Sequence, residues 1–301
     1  MKERIIKSKY FIPLSYSLFF IFVFLISLIY SFPVELIEPR IVSEIETNTP
    51  YRLEIDDLSL SPVISLKAKQ VKIYTDNKLF LNFNDMRVST TLFSLFFNNK
   101  RFPFKARFMD GYLKGDLVYN FERGQIVRAK VRLTDVNIGE SSDALMAYLG
   151  MNQNDLQGLL NGNINIDLSS DTKGDFDFWV DTLNIKNIKL LGATMPGFNN
   201  LESTFKGRIE QGITRVEELR FKNKDFDLNL SGTMPLLWEN SKGGKIDLMV
   251  NLKVISKEAK YGLVKSLLAP QRDGTLGGKI LGTIENPRVV SEAMSPRRQP
   301  F

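Results

Sequence analysis

The chain has 301 residues and contains neither cysteine nor histidine. This composition excludes disulfide frameworks, thiolate nucleophiles, Ser–His and Cys–His pairs and imidazole metal sites. The 40 basic and 34 acidic side chains give a formal charge of +6. Four basic residues and one acidic residue lie in the first nine positions, so the remainder is nearly balanced. That balance argues against nucleic-acid binding, which needs a concentrated basic face.

An uncharged stretch rich in Phe, Leu and Ile runs from Tyr10 to Phe32. As a helix it would be roughly 34 Å long, enough to cross a bilayer. A cleavable secretory signal is disfavoured because no Ala-x-Ala-like site follows the stretch. Basic residues precede it and glutamates follow it. The positive-inside rule therefore predicts a cytoplasmic tail over residues 1–9, a single transmembrane helix over 10–32, and the bulk of the chain in the opposite compartment.

A linker with a short amphipathic helix is predicted over residues 33–50. The segment from Arg40 to Thr49 has apolar residues at i, i+1 and i+4, and Pro50 ends it. The apolar period then changes to two, which indicates strands. A change of phase near Gln70 indicates a bulge. The β domain is predicted over residues 51–290, and the polar stretch 291–301 is predicted to be a flexible tail.

Several segments interrupt the strand pattern. The apolar run from Val88 to Asn99 favours a short helix that caps the sheet, with a doubly buried strand or a membrane-surface segment as alternatives. Short helices are predicted from Ser142 to Gly150, after Asn154 through Leu160, and from Ser256 to Pro270.

Between residues 113 and 254 the strands alternate strictly between apolar and polar side chains. This predicts a mainly β fold, an antiparallel sheet with one apolar and one wet face. No long helix is predicted to cover the apolar face, so the sheet must fold on itself. It could close as a sandwich or barrel, or remain an elongated, curled sheet with a groove. The candidate apolar groove face consists of Ile164, Ile166, Phe176, Phe178, Phe226, Leu228, Leu230, Ile246, Leu248 and Val250.

Glycines recur near the start of several strands. Three of the intervals between them are 45 to 47 residues long and one is 25. A fixed period of that size indicates stacked supersecondary units. The glycines in question are Gly115, Gly162, Gly207, Gly232 and Gly278.

The order of features resembles the AsmA-like envelope proteins, and most closely the type II secretion system protein N family. The resemblance rests on the basic tail and anchor, on residues 41–76 and 79–97, on the strand DGYLKGDLVYNF (110–121), and on YGLVKSLLAP (261–270) with DGTLGGKILGTIENPRVV (273–290). It implies an inner-membrane-anchored periplasmic protein of the type II secretion apparatus, related to lipid-transport proteins through a β-groove. It supplies no catalytic residue and no cofactor.

Three functional hypotheses follow. The first is a non-enzymatic accessory component of type II secretion that acts through protein contacts with other secretion components. The second is a groove that shields phospholipid acyl chains between the inner and outer membranes. The third is a carboxylate enzyme or calcium site; solvated strand faces explain its candidate residues without chemistry. Those candidates are Asp175, Asp177 and Asp181, or Asp225 and Asp227.

Overall fold

A computed structural model describes most of the β domain and parts of the N-terminal region. The described residues are 36–61, 65–90, 97–148, 155–169, 171–186, 188–190, 193–195, 197–235, 244–256, 267–283 and 286–291, with nine helical positions between 13 and 27. Within this set, no helix combines the length and hydropathy required to span a bilayer. Tyr10 and Phe32, the predicted helix ends, lie outside the set, as do residues 1–9 and 292–301.

Two α-helices are described in the β domain and its N-terminal approach. Helix α1 (Ile37–Asn48) confirms the predicted amphipathic helix and ends where the Thr49 backbone N–H donates to the carbonyl of Ile45. Its apolar side chains pack against the first strands. Helix α2 (Asp143–Tyr148) confirms the helix predicted after Ser142, whose hydroxyl accepts the Leu145 N–H at 3.2 Å.

Nineteen strands lie within the described residues. They are β1 (Arg52–Asp56), β2 (Ser59–Ser61), β3 (Ser65–Thr75), β4 (Lys78–Ser89), β5 (Asn99–Phe108), β6 (Gly111–Asn120), β7 (Gln125–Asn137), β8 (Leu156–Gln157), β9 (Leu159–Asp167), β10 (Lys173–Ile185), β11 (Ile188–Leu190), β12 (Ala193–Met195), β13 (Phe198–Glu210), β14 (Ile213–Lys222), β15 (Phe226–Pro235), β16 (Lys245–Val254), β17 (Ala269–Pro270), β18 (Leu276–Thr283) and β19 (Pro287–Val290).

Seventeen of these strands form one antiparallel sheet, and β11 and β12 pair as a separate hairpin. The strands lie in the sheet in the order of the chain. In three places two strands share one neighbour: β1 and β2 both border β3, β8 and β9 both border β10, and β17 and β19 both border β18. Among the described residues the two outer edges are not paired with each other, so the sheet is open. The predicted mainly β, antiparallel fold is confirmed, and the closed barrel is not the arrangement seen.

Local sequence explains the tight connections. The turn predicted at Asp76 and Asn77 joins β3 to β4, and both residues have positive φ, 48° and 60°. That conformation defines the two-residue hairpin turn that matches strand twist. A phase change near Gln70 also occurs, since Ala68 and Val71 lie in one apolar cluster. The pairing of β3 stays in register through Gln70, so the predicted bulge does not lie there. Shifts occur between Ile73 and Tyr74 and, on β4 against β5, around Asp85, which has φ of 50°.

Two sequence predictions need correction. Val88 and Asn99 belong to strands β4 and β5, so the predicted capping helix is wrong at both of its ends; residues 91–96 lie outside the described set. The helical turn predicted after Asn154 is also wrong, because Leu156 lies in β8 and Leu160 in β9. The break at Gly158 between β8 and β9 shifts the apolar phase and produces helix-like spacing. Most of the helix predicted from Ser256 lies outside the described residues.

The recurrent glycines occupy alternate positions in the sheet, on β6, β9, β13, β15 and β18. The glycines therefore recur once per pair of antiparallel strands. The interval between them in the sequence is longer where a connecting segment contains additional residues. Three of these glycines leave room for an aromatic ring on the neighbouring strand. A Cβ at Gly207 would lie 2.6 Å from Cζ of Phe176, and one at Gly162 would collide with the ring of Phe178. Gly115 is covered by the ring of Phe104 in the same way.

Candidate functional site

A continuous row of apolar positions crosses the whole sheet. Residues that pair directly in an antiparallel sheet point to the same face, so the register defines the row. It takes one residue from each successive strand, and every member is apolar or glycine. We call it the apolar row: Leu60, Leu66, Val88, Phe104, Gly115, Val131, Ile164, Phe176, Gly207, Val216, Gly232, Leu248, Ile280 and Val289.

All ten residues of the predicted groove face lie on the face that carries the apolar row. Ile164, Phe176 and Leu248 belong to the row itself. The other seven lie two or more residues along the same strands, in phase with it. Half of the ten are buried and half are partly exposed. The buried ones are Phe176, Phe226, Leu230, Leu248 and Val250, and the partly exposed ones are Ile164, Ile166, Phe178, Leu228 and Ile246.

On the strands from β10 to β18, which we call the C-terminal strands, this face is closed. Ten buried residues form one cluster there, with Leu201 only 1% exposed. One of the ten, Leu268, comes from the segment before β17, and Ile138 after β7 and Leu156 in β8 pack against the cluster. Partly buried apolar side chains pack around this cluster, so the face of the C-terminal strands is largely covered apart from a small cleft.

On the strands from β3 to β9, which we call the middle strands, the same face is more open. Phe104, Leu117, Val131 and Ile164 are only half-buried, although they occupy equivalent positions. Apolar side chains without a full covering layer retain contact with solvent, and their burial by a ligand would be favourable by about 25 cal/mol per Å². The middle strands therefore present an apolar surface that can accept a hydrocarbon.

An open apolar cleft of about 310 Å³ marks the boundary between the two regions. It lies over β9, β10, β13 and β14, and its walls are almost entirely hydrocarbon. The rings of Phe178 and Phe205 stand 6.4 Å apart there, centroid to centroid, and Phe176 packs beside Phe205 at 4.7 Å. A chain-like apolar ligand on the middle strands could extend into this cleft.

The aspartates considered from the sequence as an enzyme or calcium site contribute to the polar face of the sheet. Asp227 accepts two hydrogen bonds from Arg220, and this guanidinium lowers the pKa of Asp227 below its usual range. Asp177 lies 3.6 Å from the Lys206 ammonium group. Nowhere in the described part of the chain do three or more carboxylates gather as metal ligands would.

Part of the site was not singled out from the sequence. Phe104 and Val131 lie at the centre of the open region, yet the predicted groove face began at Ile164. The signal was present in β5, where Phe102, Phe104 and Ala106 alternate with three basic residues and a proline. Only the register of β5 to β9 shows that these residues continue the same row.

No protein-family model, curated protein or solved structure matches this chain. The resemblance to type II secretion system protein N therefore stays a prediction. The geometry of the sheet is the basis on which the function is proposed.

Proposed function

We propose that this chain is a non-enzymatic envelope protein whose middle strands shelter phospholipid acyl chains. The observation that carries the proposal is the unequal burial of one apolar row, buried on most strands from β10 to β16 and only partly buried on the middle strands. Each methylene removed from water contributes about 0.8 kcal/mol. A single acyl chain along the row would thus gain several kcal/mol.

The proposal includes a membrane anchor and a location. A transmembrane helix over residues 10–32 would hold the β domain on the periplasmic side of an inner membrane, with residues 1–9 in the cytoplasm. The 23 uncharged residues and the charges on either side support this arrangement. The sheet is about 60 Å wide if its successive strands are spaced at about 4.8 Å. A curled sheet of that width could carry an acyl chain away from the membrane surface.

The test is the phospholipid content of the purified full chain. Mass spectrometry after gentle extraction should find phospholipid bound at close to one molecule per chain. Val131→Glu places a carboxylate on the apolar row and should lower this amount at least fivefold, because burying the charge would be costly. Ile213→Glu is the matched control, since Ile213 is 51% exposed, and it should leave the amount unchanged. Absence of lipid from the wild-type chain, or equal loss in both variants, would contradict the proposal.

A second proposal is an accessory role in type II secretion through protein contacts of the β domain with other secretion components. It is supported by the resemblance of residues 41–76, 110–121 and 273–290. The two roles are compatible, since one apolar face can bind either protein or lipid. Deletion of the gene should reduce the secreted proteome. If the set of exported proteins were unchanged, this role would be excluded.

A further inference from the structure

The polar face of the middle strands carries a row of five basic residues in direct register. One comes from each of the consecutive strands β3 to β7, and each pairs directly with the next. We call this set the cationic row: Lys67, Arg87, Lys105, Lys114 and Arg132. At about 4.8 Å per strand it extends over roughly 19 Å. It lies on the face opposite the apolar row.

The cationic row differs from the other charged rows of the polar face. Arg208 pairs directly with Arg215 on two neighbouring strands, but Arg208 also contacts the carboxylate of Glu217 at 2.7 Å. Two rows of four charged residues alternate in sign from strand to strand, as cross-strand pairing favours. One is Glu202, Lys222, Asp227 and Lys253, and the other is Arg128, Asp167, Lys173 and Glu210.

Internal contacts do not neutralise the cationic row. In the described part of the chain, none of its five members has a carboxylate oxygen within 4.0 Å. Arg132 donates to the Asn163 amide oxygen at 2.9 Å, which leaves its charge uncompensated. Like charges that face each other directly are destabilising, so an anion bound along the row would relieve this repulsion.

The shape of the surface also fits a ligand. An open depression of about 750 Å³ is lined by four members of the cationic row and by Lys130, together with atoms of the apolar-row residues Phe104, Gly115, Val131 and Ile164. Among the described residues that line it, Asp116 is the one carboxylate, and Arg101 contacts it at 2.7 Å. The depression thus combines a high local positive charge with room for a small molecule or a headgroup.

We propose that the cationic row binds a ligand with several phosphate groups. The guanidinium groups of Arg87 and Arg132 can each engage two phosphate oxygens, and the lysines between them supply point charges. A string of phosphates would place negative charge along the whole row. Phosphorylated lipid headgroups and soluble polyphosphate share this chemistry. The cationic side chains are one residue out of phase with the apolar row and point to the opposite face, so phosphate binding does not require a bound acyl chain.

The test uses sodium tripolyphosphate and the full chain in neutral detergent, with titration calorimetry at 50 and 200 mM salt. Saturable binding should weaken at the higher salt, as ionic contacts do. Lys105→Gln with Lys114→Gln should raise the Kd at least tenfold. The matched control, Lys222→Gln with Lys253→Gln, removes two lysines from an alternating row and should change the Kd less than twofold.

A variant that keeps the positive charge distinguishes loss of charge from misfolding, and a lipid competitor identifies the source of the phosphate groups. Lys105→Arg with Lys114→Arg keeps the charge and should retain the wild-type Kd within twofold. Competition by soluble dioctanoyl phosphatidylinositol bisphosphate, a lipid with several phosphate groups, would assign the site to lipid headgroups, and its failure to compete would assign it to soluble polyphosphate. Absence of saturable tripolyphosphate binding to the wild-type chain, or equal weakening in both glutamine variants, would overturn the proposal.

Discussion

The middle and C-terminal strands belong to one sheet but differ on both faces. On the C-terminal strands a ten-residue cluster buries most of the apolar face, and one polar row of four residues alternates in sign. On the middle strands the members of the apolar row are only partly buried, and one polar row is entirely basic. The C-terminal strands thus bury most of their apolar row and pair opposite charges, whereas the middle strands leave apolar surface partly exposed and a row of positive charge unpaired. Incomplete burial and uncompensated charge are properties of binding surfaces.

The largest expected difference between the two regions is in the cost of removing a core leucine. Leu201→Ala should lower the free energy of unfolding by about 3 to 4 kcal/mol, because it leaves a cavity in a closed cluster. Leu117→Ala on the middle strands should cost about 1 kcal/mol, since that side chain is only half-buried and the site can collapse. Denaturant unfolding of the full chain in mild detergent measures both. Equal losses would mean that the two faces are equally closed.

Charge reversal should have opposite signs in the two regions. Lys105→Glu converts part of the cationic row into an alternating row and should stabilise the chain by about 1 kcal/mol. Lys222→Glu places like charges beside Glu202 and Asp227 and should destabilise it by about the same amount. Thermal unfolding at low salt compares them, and high salt should reduce both shifts. A fall in stability with Lys105→Glu would show that the cationic row carries no repulsion.

The smallest expected effect is the pH dependence of the stability that Asp167 contributes within a row of alternating charges. Hydrogen bonds from the Ser169 hydroxyl and backbone N–H, then from Arg128, lower the pKa of Asp167 to about 2. A lowered pKa adds stability that is present above about pH 4, the usual Asp range, and is lost as the pH falls through about 2. Asp167→Asn should therefore cost about 0.5 kcal/mol or less at pH 6, given its exposure, and nothing near pH 2. Unfolding curves across that range measure the difference, and a constant difference at all pH values would contradict this assignment.

Alternation in the sequence was sufficient to predict the strands and the common face of the ten groove residues. It failed where the phase shifts, as between Leu156 and Leu160, because a break at Gly158 imitates helical spacing. The cationic row was not visible for a different reason. Lys67 and Arg132 are 65 positions apart, and only strand register brings such residues into one line. A nearly balanced total charge concealed this local excess.

The most direct test of the account is the location of acyl-chain contacts on the folded protein. Cells expressing the full chain would be fed a fatty acid with a photoactivatable group in its chain, irradiated, and the labelled peptides identified by mass spectrometry. We predict adducts on the middle strands, around Phe104, Leu117 and Val131, and none on Leu201 or Leu252. Labelling confined to the C-terminal strands, or absent from the whole β domain, would contradict the claim that the middle strands shelter lipid.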